Sequence, residues 1–294
     1  MALAARVLSP AKVNLHLEVY PRREDGFHPL LSVFQMVSLC DEIRVRLLKK
    51  NDACDIAGDF GFPPEHNIIG KCCRIFREET GLRAGLSFRV RKRIPQGAGL
   101  GGGSSNGAAA LRALNAMFAA GFSDGRLAAM GARAGSDIPF FCTAPAALVE
   151  GRGELVRPLA AREDFFLVLV VPPLHIGTAA AYGWLDAEGA AASPSGGRAK
   201  EIRLMYEEGS PGDWRFSNSF YPVLQKRQAV FADIRQSLLG AGALHADVSG
   251  SGAAMFGIFQ AKGEARKAGK ILKMKYPVVK LLFPLAGMPE IILQ

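Results

Sequence analysis

The amino-acid sequence predicts a mixed α/β protein of two lobes, and three observations carry that expectation. Its 294 residues, 49% hydrophobic and 21% charged, suffice for one large hydrophobic core or two modest ones, and the length favours two lobes. The first half alternates apolar and polar residues with the period of strands, while much of the second half changes to helical spacing. A glycine-dense segment at 95–106 stands between a strand pattern and an Ala/Leu-rich helix pattern, giving a strand, loop, helix unit suited to phosphate.

Segments 13–19, 30–39 and 43–48 are rich in Val, Leu, Ile and Phe, are interrupted by turn formers such as Asp25 and Gly26, and predict strands. Residues 68–80 predict a helix, and 86–94 a strand that sets Phe88 and Val90 against Arg89 and Arg91. Helices are expected at 107–120, at 125–134 and from about residue 137, with no strand between the first two, followed by a hairpin over 147–159. Residues 165–171 read as a buried strand. The helical pattern after it is broken by a Gly/Ala/Ser/Pro stretch at 189–199, expected to be a mobile loop. A helix at 221–239, a glycine-interrupted strand region at 248–259, a basic helix at 261–275 and a strand at 278–284 complete the chain, which shows no internal repeat. The lobes are expected to divide near Leu159, into residues 1–159 and 160–294.

Lys and Arg number 36 against 27 Asp and Glu, a formal charge of +9 that suits a polyanionic partner, either nucleic acid or a phosphorylated metabolite. The densest basic run, Arg89-Val90-Arg91-Lys92-Arg93, falls within an alternating pattern and reads first as the solvated face of a strand. The longest apolar stretch, 165–174, is too short to cross a bilayer, and residues 1–10 lack a secretory hydrophobic segment, so a cytoplasmic location is expected. Cys40, Cys54, Cys72, Cys73 and Cys142 are odd in number and form no CxxC pair, which favours reduced, buried thiols over disulfides or zinc.

Gly97, Gly99 and Gly102 satisfy G-x-G-x-x-G, a pattern shared by unrelated nucleotide-binding folds. A Rossmann unit requires a return to a parallel strand, whereas here a helix follows the helix. The loop ends Gly103-Ser104-Ser105-Asn106 rather than Gly-Lys-Ser/Thr, so it is not a Walker A loop. Asp59-Phe60-Gly61 precedes the glycines and no His-Arg-Asp exists, which removes the protein kinases. What remains is an anion site: backbone N–H groups of the loop and the positive end of the following helix, with Ser104 and Ser105 as hydroxyl donors and possible Mg²⁺ ligands.

The loop 95–106 resembles the phosphate-binding motif of the GHMP kinases, the family of galactokinase, homoserine kinase and mevalonate kinase. Ser9-Pro10-Ala11-Lys12-Val13-Asn14-Leu15 resembles the first motif of that family, and Asp247-Val248-Ser249-Gly250-Ser251-Gly252-Ala253-Ala254 its third. Three further runs resemble the branch that phosphorylates an alcohol carried on a diphosphocytidyl group. They are Arg23-Glu24-Asp25-Gly26-Phe27-His28-Pro29-Leu30, Glu65-His66-Asn67-Ile68-Ile69 and Gly135-Ser136-Asp137-Ile138-Pro139-Phe140-Phe141. Phe27 stands where that branch usually carries Tyr, which removes a hydroxyl and keeps an aromatic face.

The resemblance implies a two-lobed GHMP fold, ATP and Mg²⁺ as co-substrates, and a small-molecule diphosphocytidyl substrate, with no nucleic acid, membrane or obligate protein partner. It assigns Asp137 as the base that accepts the hydroxyl proton and Lys12 as the cation that stabilises the transferring phosphoryl group. Pro95, Gln96, Gly97, Ala98, Gly99, Leu100, Gly101, Gly102, Gly103, Ser104 and Ser105 would hold the nucleotide, with Asn67 and Lys92 near the adenine. Asn14 and His28 would hold the substrate, and Phe27 and Tyr182 would sandwich its base. Ser249, Gly250, Ser251 and Gly252, grouped with the substrate-binding residues, would form a second backbone nest closing over the phosphates. A sibling small-alcohol kinase and a basic nucleic-acid-binding protein are the alternative readings.

Overall fold

A computed structural model describes residues 2–49, 52–61, 66–189 and 196–294. Glu65 of the Glu65-His66-Asn67-Ile68-Ile69 run, and residues 190–195 of the segment expected to be a mobile loop, lie outside the described residues. Two sheets, each backed by helices, make up the described chain.

The first sheet has seven strands. Its path is β11 (Ile291–Leu293), β1 (Ala4–Val19), β2 (Leu30–Leu48), β4 (Gly85–Arg91) and β3 (Cys54–Gly58), while β5 (Ala146–Gly151) pairs with β2 and β6 (Leu155–Pro158) with β5. The second is a four-stranded antiparallel sheet in the order β10 (Val278–Leu282), β7 (Phe166–Val171), β9 (Met255–Phe259) and β8 (His245–Val248).

Alternation along the strands divides the core into layers. Ala11, Val13 and Leu15 of β1 meet Leu167 and Leu169 of β7 and Phe256 and Ile258 of β9, closing the two sheets on each other. The opposite face of the first sheet buries Phe34 and Met36 against α1 (Ile68–Thr80), α2 (Gly102–Phe118), α3 (Asp124–Ala132) and α4 (Ile138–Thr143). The second sheet is covered by α5 (Thr178–Glu188), α7 (Phe220–Arg227), α8 (Val230–Gly240) and α9 (Lys262–Leu272), and α6 (Arg198–Glu207) buries Ile202 and Tyr206 beside the inter-sheet layer.

Several elements depart from the sequence expectation. β1 starts at Ala4 rather than residue 13, because Pro10, which argues against a central strand, sits at a register shift where no ladder N–H is required. The two strands expected over 30–48 are one, whose first part pairs with β5 and whose second pairs with β4. At the same shift Ser38 leaves the ladder and bonds Phe283 beyond β10, with both Ser38 N–H and Ser38 Oγ engaged. The helix after the glycine loop begins at Gly102 instead of 107, and the helix expected over 221–239 is divided where Gln228 adopts an extended backbone. The expected lobe division at Leu159 falls between β6 and β7, while β11 returns from the second part of the chain to the first sheet.

Candidate active site

Lys12 and Asn14 lie on β1 between two register shifts, one at Pro10/Ala11 and one at Asn14/His16. Such bulges bend a strand and re-aim its side chains. Both residues share the helix-covered face, with Met36 opposite Lys12 and Phe34 opposite Asn14. The Lys12 ammonium lies 4.5 Å from the centre of the Phe34 ring, donates to Asn14 Oδ1, and stands 3.9 Å from Asp137 Oδ2. Burial lowers the pKa of Lys12, and the Asp137 charge acts against that fall.

Asp137 precedes α4, and its carboxylate makes no capping hydrogen bond. Its position at a helix start therefore does not consume the charge, which remains about a third open to solvent beside Lys12. Asn14 Nδ2 donates to Ser32 Oγ at 3.0 Å, and Ser32 Oγ donates to the His16 carbonyl, a relay that orients the amide.

The glycine loop meets this pair from above β1, with the Lys12 N–H donating to the Leu100 carbonyl at 3.0 Å. Gly101 has φ +67°, a conformation that L side chains resist, and this turn allows α2 to start immediately at Gly102. The first intrahelical N–H is that of Ser105, bonded to the Gly101 carbonyl at 2.9 Å. The N–H groups of Gly102, Gly103 and Ser104 are consequently free of helical partners, and the helix dipole adds positive potential to them. They border a cavity of about 340 Å³ lined by residues 95–104 together with Phe60, Asn67, Lys92 and Asn106.

Asn67 Oδ1 caps α1 by accepting from the Ile69 N–H at 3.0 Å, while its Nδ2 is buried with no partner among the described residues. Lys92 is less solvated than Arg89 and Arg91, because its ammonium is held by Asp41 and by Asn106 Oδ1 at 3.1 Å. Ser104 lines the cavity, whereas Ser105 is buried and accepts a hydrogen bond from Ser9 at 2.7 Å, so only Ser104 of the two presents a hydroxyl to a phosphate or Mg²⁺ there.

The second glycine motif braces the first. Ser249 Oγ donates to the Gly99 carbonyl at 3.0 Å and accepts from the Asn14 N–H at 3.2 Å, and the Ala254 N–H donates to the Ala98 carbonyl at 3.1 Å. Ser249 is fully buried, so its hydroxyl positions the loop instead of facing a ligand. The Gly250 backbone lies over Gly99 and Asn14, and a Cβ at Gly252, with φ +101°, would lie 3.4 Å from Leu224. Ser251 Oγ donates to Thr178 Oγ1 at 3.3 Å, at the first residue of α5.

A second cavity, about 900 Å³, is lined by Phe27, His28, Arg152, Ser136, Tyr182 and Asp186 among others. Phe27 is half exposed, and the Arg152 guanidinium lies 4.0 Å from its ring centre. Tyr182 stacks at a tilt on His28, with centroids 5.2 Å apart, and meets Phe220 edge-on. Burial raises the Tyr182 pKa to about 12, so the phenol is neutral at physiological pH. All five cysteines are free thiols, and burial pushes Cys72 and Cys142 up to about 12.

Phe60 and Asn106 line the smaller cavity, and Arg152, Thr178 and Asp186 the larger one, none of them expected there from the sequence. Phe60 had a signal, but it was one for the wrong family. Thr178 and Asp186 stand four residues either side of Tyr182 and so share its helix face, a spacing that could have revealed them.

The family description GHMP kinases N terminal domain matches residues 67–144, and GHMP kinases C terminal matches residues 210–278. The chain is 36% identical over 275 residues to the 4-diphosphocytidyl-2-C-methyl-D-erythritol kinase of Treponema pallidum (strain Nichols), spanning 90% of this chain and 94% of the relative. It is 34% identical over 278 residues to the protein of the same name from Thermodesulfovibrio yellowstonii, spanning 90% and 92%. A crystal structure of 4-(cytidine 5'-diphospho)-2C-methyl-D-erythritol kinase superposes with a TM-score of 0.81 at 29% identity, covering 96% of this chain and all of the other. Homoserine kinase from Cytophaga hutchinsonii, at 19% identity and a TM-score of 0.77 over 99% and 98% of the two chains, shares the fold.

Proposed function

The chain belongs to the GHMP kinase family, and we propose that it transfers the γ-phosphoryl group of ATP to the 2-hydroxyl of 4-diphosphocytidyl-2-C-methyl-D-erythritol. The observation that carries the reading is the Lys12–Asp137 pair, 3.9 Å apart, with an uncapped carboxylate beside the glycine loop. The alcohol oxygen forms the new bond to the γ-phosphorus as the bond to the β-phosphate oxygen breaks and ADP leaves. Asp137 takes the hydroxyl proton, and the Lys12 ammonium stabilises the charge on the transferring group. Asn14 holds Lys12 in place and borders the reacting alcohol.

Residues 95–104 cradle the triphosphate, and the unpartnered Asn67 Nδ2 serves the adenine end. The Ser104 hydroxyl, a hard neutral oxygen at the phosphate cavity, would hold the Mg²⁺ that accompanies ATP and neutralises part of its charge. Phe27, His28 and Tyr182 form the base pocket, with the substrate in the cleft between lobes divided near Leu159. Among the described residues no helix is long and apolar enough to cross a membrane, and we place the enzyme in the cytoplasm.

A coupled assay of ADP release tests the reading. Turnover is expected with the diphosphocytidyl alcohol and not with homoserine or mevalonate at equal concentration. Equal turnover of homoserine would favour the sibling-kinase reading, and no turnover of any alcohol would refute the assignment.

A further inference from the structure

Three hydrogen bonds lead from a backbone carbonyl to Lys12, and their directions are not interchangeable. Ser32, on β2, is fully buried, and its hydroxyl donates to the His16 carbonyl. A carbonyl can only accept, so the one hydroxyl proton is committed there and Ser32 Oγ offers its other neighbour lone pairs alone. Asn14 meets those lone pairs with Nδ2, at 3.0 Å. With the amino end of the amide held on that side, Oδ1 turns to the Lys12 ammonium and accepts from it.

The far end of this chain is anchored by a segment from the second part of the sequence. The Leu17 N–H donates to the Ser217 carbonyl at 2.8 Å, the Ser219 N–H to the Leu17 carbonyl at 2.9 Å, and the Ser217 N–H to His16 Nδ1 at 3.2 Å. At the near end a charge is at stake. Burial works against the Lys12 ammonium and Asp137, before α4, works for it, while its neighbours on β2 and in the glycine loop, the Phe34 ring and Gly101, carry no charge. A reversed Asn14 amide would set Nδ2 against the ammonium, donor against donor.

We propose that Ser32 is a positioning residue for phosphoryl transfer, which fixes the orientation of the Asn14 amide and thereby holds Lys12 in place as a cation. The inference rests on the kinase reading above, in which that cation stabilises the transferring group. Ser32 lines neither cavity and acts through Asn14. The bond it protects has a charged donor, and such a bond corresponds to roughly 10- to 100-fold.

The test is single-turnover phosphorylation of the diphosphocytidyl alcohol from neutral to alkaline pH, in the wild type, Ser32→Ala and Ser32→Thr. Ser32→Ala is expected to lower the rate roughly 10- to 100-fold with KM little changed. It is also expected to move the alkaline limb of the profile about one pH unit lower, because a buried lysine without its acceptor loses its proton more readily. Ser32→Thr keeps the hydroxyl and is expected to restore both the rate and the limb. In Asn14→Ala no amide remains to be oriented, so adding Ser32→Ala is expected to lower the rate no further. A folded Ser32→Ala protein with the wild-type rate and limb, or losses that multiply in the double variant, would overturn the proposal. Ser32→Cys, which keeps the volume and offers only a weak partner, takes the place of Ser32→Ala if that variant does not fold. A wild type that phosphorylates no alcohol would instead overturn the kinase reading.

Discussion

Asp137→Asn separates catalysis from architecture at the centre of the site. The substitution keeps shape and removes the charge, and the wild-type carboxylate makes no capping bond that the fold would miss. Two unit charges 3.9 Å apart interact by about 4 kcal/mol at an effective dielectric constant near 20, and the solvent that reaches Asp137 reduces this. The loss falls on Lys12: burial already lowers its pKa, and Asp137 is the group that raises it again, so the variant's lysine is more easily neutralised. Lost base catalysis is worth roughly 10²- to 10⁴-fold, about 3–5 kcal/mol of barrier. The expected result is a folded protein with near-normal ATP affinity and a single-turnover phosphorylation rate lowered by that factor. Thermal unfolding, nucleotide titration and single turnover on one preparation make the measurement. A near-normal rate in a folded variant would refute Asp137 as the base.

Lys12→Met should lower single-turnover phosphorylation comparably, and the double variant should be little worse than either single one, since the two residues act as a unit; multiplicative losses would argue for independent roles. Gly99→Ala should abolish nucleotide binding, because its Cβ would lie 2.0 Å from the Ser249 carbonyl oxygen at φ +76°, whereas Gly103→Ala has open space around its Cβ and should stay folded. Equal unfolding temperatures and equal ATP affinities for these two variants would contradict the bracing role of the second motif. Burial raises the Asp247 carboxyl from an ordinary value of 3.8 to about 7, against the Val248 N–H, Arg235 and Asn218, which lower it. Between those pH values the native state keeps a proton that the unfolded chain has released, so stability falls as pH rises and levels off above about 7. Asp247→Asn retains an acceptor for Val248 and should therefore raise stability more at pH 8 than at pH 5, by up to about 3 kcal/mol; a gain independent of pH in thermal denaturation would refute this.

Chemistry was more legible in the sequence than geometry. Lys12, Asn14, the glycine loop and Asp137 were identified from local runs, and the structure brings Lys12, Asn14 and Asp137 together under the loop. The buried strand at Phe166–Val171 and the helix Ile68–Thr80, with its Asn67 cap and Gly81 stop, were readable because patterning and capping coincide there. β1 was misread at its start because Pro10 signals a break unless the register shift beneath it is known. Ser249 looked like a phosphate ligand, since a serine between glycines reads the same whether it faces a ligand or a neighbouring loop. Lys92 read first as part of a solvated stripe and only by resemblance as a nucleotide residue, because Asp41, which draws its ammonium in, comes from β2, far away in sequence. Asp186 left only its four-residue spacing from Tyr182 as a signal, because His28, the residue it faces, is far away in sequence.

The pairing of Ala5 with Leu293 and of Val7 with Ile291 bears on how the protein folds. The strand that carries Lys12 and Asn14 is bordered on one side by a neighbour close in sequence, β2, and on the other by β11, from nearly the other end of the described chain. Contacts of such long range become favourable only after the entropy of closing the intervening loop has been met, and topologies rich in them fold slowly. During synthesis, β1 keeps an open edge of unpaired N–H and C=O groups until β11 arrives, a template for association with another chain.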